Sequence, residues 1–256
     1  MSTPKETHFF QGGYDKGMEW FKTCFDPDSR MQAWGEASAG NMIHPKAAER
    51  IARHFPDARL VFVLRNPIDR AYSQYWYAIR RGTDRGIDHL QRSFSEVIRN
   101  PDRDDWAQRI LDLGLYHEQL QRFEQHFGRD QMFIGLFKNL KEDGEAFFRC
   151  VQEFIGVDPS KMPNTSTHHG RTYYPRNVSL LRGAYSMWRP IKRRLPDPVL
   201  EQTRGFRSAI RSLLFQSGSQ EKPTMAPEDR AYLQDYYEEP NHRLEEWLGR
   251  DLSHWT

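Results

Sequence analysis

One stretch constrains the fold more than any other: VFVLRNPIDRAYSQYWY at 61–77, where four apolar residues run into Arg65-Asn66-Pro67 and a helical pattern follows at once. Proline suits the first position of a helix, and Asn66 before it suits a cap. The reading is therefore a strand over RLVFVL (59–64), a two-residue turn, and a helix over 67–81. Ile68, Ala71, Tyr72, Tyr75, Trp76 and Ile79 fall at i, i+3, i+4, i+7, i+8 and i+11, one continuous stripe expected to pack against the sheet, with Ser73 outside it. A continuous apolar run is also the pattern of a strand buried on both faces.

The remainder repeats the theme. THFF at 7–10 and QMFIGLF at 131–137 read as two further strands. Helical patterns cover about 45–55, 92–99, 104–127 with a break near Gly114, 142–156 and 226–248. Strands alternating with helices predict an α/β sandwich with a mostly parallel sheet, and 256 residues suit a single domain. Residues 158–175, rich in Pro, Thr, Ser and His, read as a long loop. Residues 189–226 read either as a flap or as a peripheral helical segment.

Composition excludes several classes. Cys24 and Cys150 are too few for a disulfide framework, which points to a reducing, cytoplasmic setting. The ten histidines are scattered, and the pair His168-His169 has no Cys or carboxylate at ligand spacing, so no metal is expected. No apolar run is long enough for a bilayer, and MSTPKETHFF has no signal-peptide pattern, so no membrane association is expected. The net charge is +2, and the basic residues between Arg189 and Arg211 read more simply as a solvated face than as a nucleic-acid site.

Parallel sheets open their ligand crevices at the carboxyl ends of the strands, where helix N-termini offer free N–H groups. Arg65 stands at such a place. Its guanidinium supplies paired donors and the Ser73 hydroxyl one more, a combination suited to a phosphate. The alternative is an arginine that only pairs with a neighbouring carboxylate and a serine idle at the surface.

LVFVLRNPIDRAYSQYW resembles the 3'-phosphate-binding segment of sulfotransferases that use 3'-phosphoadenosine 5'-phosphosulfate (PAPS), in the branch holding the heparan-sulfate and bacterial enzymes. KETHFFQGGYDKGMEWFKTCF (5–25), GEASAGNMIHPKAAERI (35–51), GLYHEQLQRFEQHFGRDQMFIGLFKNL (114–140) and the ending LEEWLGRDLSHWT are similar to further segments, so the resemblance covers nearly the whole chain. It implies a P-loop NTPase-like three-layer α/β sandwich. It also implies PAPS as sulfuryl donor, with a carbohydrate or small-metabolite hydroxyl or amine as acceptor. Arg65 and Ser73 then hold the 3'-phosphate, and Gly170 and Arg171 of HHGRTYYP match a loop over the nucleotide, with His169 where the family has lysine.

The same resemblance makes Glu6 the catalytic base, with His8 as its neighbour. Read as a strand, KETHFF puts Glu6, His8 and Phe10 on one face and Thr7 and Phe9 on the other. Glu36 and Ser38 of GEAS match positions that touch substrate, although Ala37 stands where heparan-sulfate members carry lysine. The largest departure is at the start. The family opens with a strand and a Gly-rich, Lys-bearing loop around the 5'-phosphosulfate, and these residues hold no such loop. Without its donors, each of which lowers a barrier by about 3–4 kcal/mol, turnover is expected to be poor or nil. A sheet lacking that strand leaves edge and apolar surface for a second copy or a partner to cover. The competing reading is a non-catalytic module that keeps the fold and binds adenosine bisphosphate.

Overall fold

The computed structural model of the chain describes residues 1–26, 32–85, 92–103, 105–161 and 222–255, together with Tyr174, Gly183 and Met187. Its elements run α1 (Gly17–Thr23), α2 (Ala47–His54), β1 (Leu60–Leu64), α3 (Pro67–Arg85), α4 (Phe94–Arg99), α5 (Asp105–Asp112), α6 (Tyr116–Glu124), β2 (Met132–Leu136), α7 (Phe137–Glu142), α8 (Gly144–Ile155) and α9 (Pro227–Leu248). The chain forms two compact units, one of Met1–Pro67, Asp112–Thr167 and Tyr237–Thr256, the other of Ile68–Leu111 and His168–Tyr236.

In the first unit β1 and β2 pair in parallel, with Leu60 opposite Met132 and Leu64 opposite Leu136. Helices lie on both faces. Phe62, Leu64, Met132, Ile134 and Leu136 point into the main core, where Phe62 meets Phe123 of α6 at 5.1 Å between ring centres. On the other face Phe133 packs on Phe147 and Phe154 of α8. Gly135 allows that approach, because a Cβ there would stand 2.4 Å from the Phe147 ring.

The expectation of a strand buried on both faces fails for β1, since Val61 and Val63 remain 41% and 44% exposed. The α8 rings cover β2 on that face, and an apolar run does not by itself show that a second layer reaches it.

In the second unit the α3 stripe from Ile68 to Ile79 is buried throughout. Within this unit Tyr72 and Tyr75 meet Phe94 of α4 at 4.8 and 5.4 Å, and Tyr75 lies 6.2 Å from Trp106 of α5. Periodicity reports which face is buried and is silent on the partner. Ion pairs Arg230–Asp69 (3.0 Å) and Arg99–Asp229 tie α9 to α3 and α4.

The predicted strand over 7–10 is a turn. His8 adopts φ 53°, and its carbonyl accepts from the N–H groups of Gln11 (3.2 Å) and Gly13 (3.1 Å). Phe9 and Phe10 are both buried, Phe9 stacking on Phe21 at 4.6 Å and Phe10 meeting it edge-on at 5.1 Å. Adjacent strand residues face opposite ways, so strand geometry would part the two rings that here meet the same Phe21. Elsewhere the helical readings hold to within a few residues, while α1 and α7 are additional helices, α7 beginning at Phe137 where the strand reading ended.

Candidate functional site

At the carboxyl end of the two strands Arg65 and Phe137 follow the last register pair, Leu64 and Leu136. The Arg65 guanidinium lies over the Phe137 ring, 5.4 Å from its centre, and the Tyr116 hydroxyl donates to the Arg65 carbonyl at 2.9 Å. Lys141 lies 5.6 Å from the centre of the same ring. Half-buried Arg65 forms no ion pair with a carboxylate among the described residues. The reading in which it merely pairs with a neighbouring acid thus loses its partner. A planar cation stacked on a ring and facing no acid retains its fork of donors for an anion. Ser73 sits on the seventh residue of α3, half-buried and outside the apolar stripe as expected, in the second unit.

A second cluster in the first unit gathers four of the predicted residues. The Glu6 and His8 side chains are about half-exposed, with Glu6 Oε2 and His8 Nε2 3.8 Å apart. The strand argument expected them together; the turn brings them together by another route. Beneath them, Glu36 Oε1 accepts from the Thr7 N–H (3.2 Å), the Thr7 hydroxyl (3.0 Å) and the Ser38 hydroxyl. Glu36 Oε2 accepts from the Ser38 N–H and Asn41 Nδ2, both at 3.1 Å. The Ser38 hydroxyl in turn accepts the His8 N–H at 2.9 Å, and the Thr7 hydroxyl accepts the Phe9 N–H at 3.2 Å. Thr7 and Ser38 are buried. These bonds of Thr7 and His8, one local and the rest reaching across about thirty residues, hold THFF in a turn, with short polar side chains taking backbone N–H groups that a strand ladder would use.

Arg50 of α2 closes the turn from the other side, donating to the Phe10 and Gln11 carbonyls at 2.9 and 2.6 Å. Nearby, the Lys46 N–H donates to His44 Nδ1 at 3.2 Å. Burial, then the charges of Arg50 and Lys46, hold the His44 imidazole below its ordinary pKa.

Gly170 and Arg171, with His169 and Tyr173, lie outside the described residues. Thr7, Asn41, Tyr116 and Phe137 were not singled out from sequence.

The sequence profile described as "Sulfotransferase family" matches residues 15–161, more than half of the chain. The chain belongs to the sulfotransferase family. Among curated relatives, the bifunctional heparan sulfate N-deacetylase/N-sulfotransferase 1 of Xenopus tropicalis is 28% identical over 267 residues, covering 99% of this chain and 27% of that protein. The heparan sulfate glucosamine 3-O-sulfotransferase 3B1 of Mus musculus is 25% identical over 249 residues, covering 96% of this chain and 56% of that protein. The chain thus spans from about a quarter to just over half of these relatives' lengths.

A sulfotransferase from Alicyclobacillus acidocaldarius shares the fold, with a TM-score of 0.68 at 23% identity over 98% of this chain and 85% of that one. The parallel pair flanked by helices on both faces is consistent with the P-loop NTPase-like sandwich of the family. No described helix is long and apolar enough to cross a membrane.

Proposed function

We propose that the chain takes part in transfer of a sulfuryl group from PAPS to a hydroxyl or amine of a carbohydrate or small metabolite. The observation that carries the reading is Arg65: a guanidinium at the carboxyl end of the sheet, stacked on Phe137 and without an acid partner among the described residues. It fits the doubly charged 3'-phosphate of the donor, to which it offers two parallel N–H bonds. Ser73 is proposed as the hydroxyl partner in that contact, on the strength of the RNPIDRAYS pattern. Gly170 and Arg171 are proposed to cover the nucleotide.

The donor supplies an activated sulfuryl group already joined to a phosphate leaving group. Glu6 removes the acceptor proton as the acceptor oxygen or nitrogen approaches, and the His8 imidazole, 3.8 Å from it, orients that carboxylate or the acceptor. The names of the relatives point to amino or hydroxyl groups of glucosamine units. Ala37, in place of the lysine of heparan-sulfate members, weighs against that same polysaccharide.

Titration calorimetry with adenosine 3',5'-bisphosphate tests the reading. Arg65→Ala is expected to weaken binding by about 2–5 kcal/mol, as for truncating one partner of a hydrogen-bonded charge pair. Equal affinity of the two chains would overturn it.

A further inference from the structure

We infer that Glu36 is a positioning residue, which sets the backbone of the Glu6–His8 turn and through it the geometry of the proposed base. The inference rests on the reading of Glu6 given above. Glu36 meets five donors from its own chain: the Thr7 N–H and hydroxyl, the Ser38 N–H and hydroxyl, and the Asn41 amide. That set occupies both oxygens, which distinguishes Glu36 from a group waiting for an acceptor molecule. It replaces the substrate contact expected of Glu36 and Ser38 by a role one step removed.

The direction of every bond supports this. Each hydroxyl has one proton to give. Thr7 and Ser38 spend theirs on Glu36, so both oxygens face the turn as acceptors and receive the N–H groups of Phe9 and His8. A carboxylate at 36 therefore fixes the orientation of two hydroxyls, and those hydroxyls hold the two backbone N–H groups that follow Thr7. His8 is thereby kept at φ 53°, a left-handed conformation that a non-glycine residue rarely holds without such restraint. With the backbone held on both sides of His8, the Glu6 and His8 side chains leave the turn together. A glutamine at 36 would have to place an N–H₂ group against at least one of the five donors.

The test compares four chains: unchanged, Glu6→Gln, Glu36→Gln and the double variant. In the unchanged chain, replacing Glu6 by Gln shifts the NMR resonances of the His8 ring. In the Glu36→Gln background the same replacement is expected to leave them unmoved, because the two side chains no longer share one geometry. Where transfer is measurable, Glu36→Gln lowers kcat by about 10²-fold with the donor KM unchanged, as for a small misplacement of a reacting group. It adds nothing to the loss caused by Glu6→Gln, since residues acting as a unit are not additive.

A His8 shift of full size in the Glu36→Gln background, or a kcat loss that multiplies with that of Glu6→Gln, overturns the inference. Should Glu36→Gln not fold by circular dichroism, Thr7→Val removes one hydroxyl of the same shell, and its reduced His8 shift answers the same question. A chain with the Glu6–His8 coupling intact but no sulfuryl transfer in any acceptor panel would remove the proposed reaction and leave the positioning role standing.

Discussion

Arg65 and Glu36 both sit in turns of the first unit, and they are opposite in more than charge. The guanidinium rests on an aromatic ring and meets no acid among the described residues, whereas the carboxylate is surrounded by five donors of its own chain. A charge left over after the fold is satisfied is available to a ligand. A charge consumed by the fold organises what surrounds it. Chemical type alone does not separate the two cases; the count of partners does.

The sharpest way to break this contrast is at Glu6, the half-exposed acid above the saturated one. Glu6→Gln is expected to lower sulfuryl transfer by about 10²–10⁴-fold, the usual contribution of a positioned base, with adenosine bisphosphate affinity unchanged by calorimetry. A next test moves from activity to stability. Glu36→Ala strands buried donors and should destabilise the fold by about 1–3 kcal/mol in urea. Arg65→Ala, which leaves no buried polar group unpaired and gives up only the stacking on Phe137, should change stability by no more than about 1 kcal/mol. If the two substitutions destabilise equally, the distinction between spare and consumed charge fails.

The smallest effect concerns His44, beside the Arg50 that closes the turn. Its imidazole is held below the ordinary value, so the folded state disfavours the proton that the unfolded chain accepts. Its contribution to stability is fully present above the unfolded value, about 6.5. It declines as the pH falls through the lowered folded value. Urea unfolding at a series of pH values should show that decline, and His44→Gln should lessen it.

The strand, the turn at 65 and 66 and the helix behind them were legible because each rests on a local rule: a β-branched and aromatic run, a proline at the first helical position, and a 3.6-residue stripe. Arg65 was legible for the same reason, standing where a strand becomes a helix. Long-range bonds hid the rest. THFF looks like a strand until the Thr7–Glu36 and His8–Ser38 bonds, which span about thirty residues, are known. Phe137 looked like the end of a strand because nothing local shows that the β1–β2 register sets it beside Arg65. The open face at Val61 and Val63 depends on which helix covers which strand, and a single apolar run carries no such information.

That register has its own consequence. Leu64 faces Leu136, so the two strands finish level and their next residues become neighbours without any bond between them in sequence. Sliding β2 by a single position, as one inserted residue within it would do, would carry the Phe137 ring away from the guanidinium while leaving every side chain chemically intact. Such an insertion should weaken the proposed capture of an anion at Arg65 by removing the ring on which it rests, so the candidate site is encoded in the length of a strand as well as in the identity of its residues.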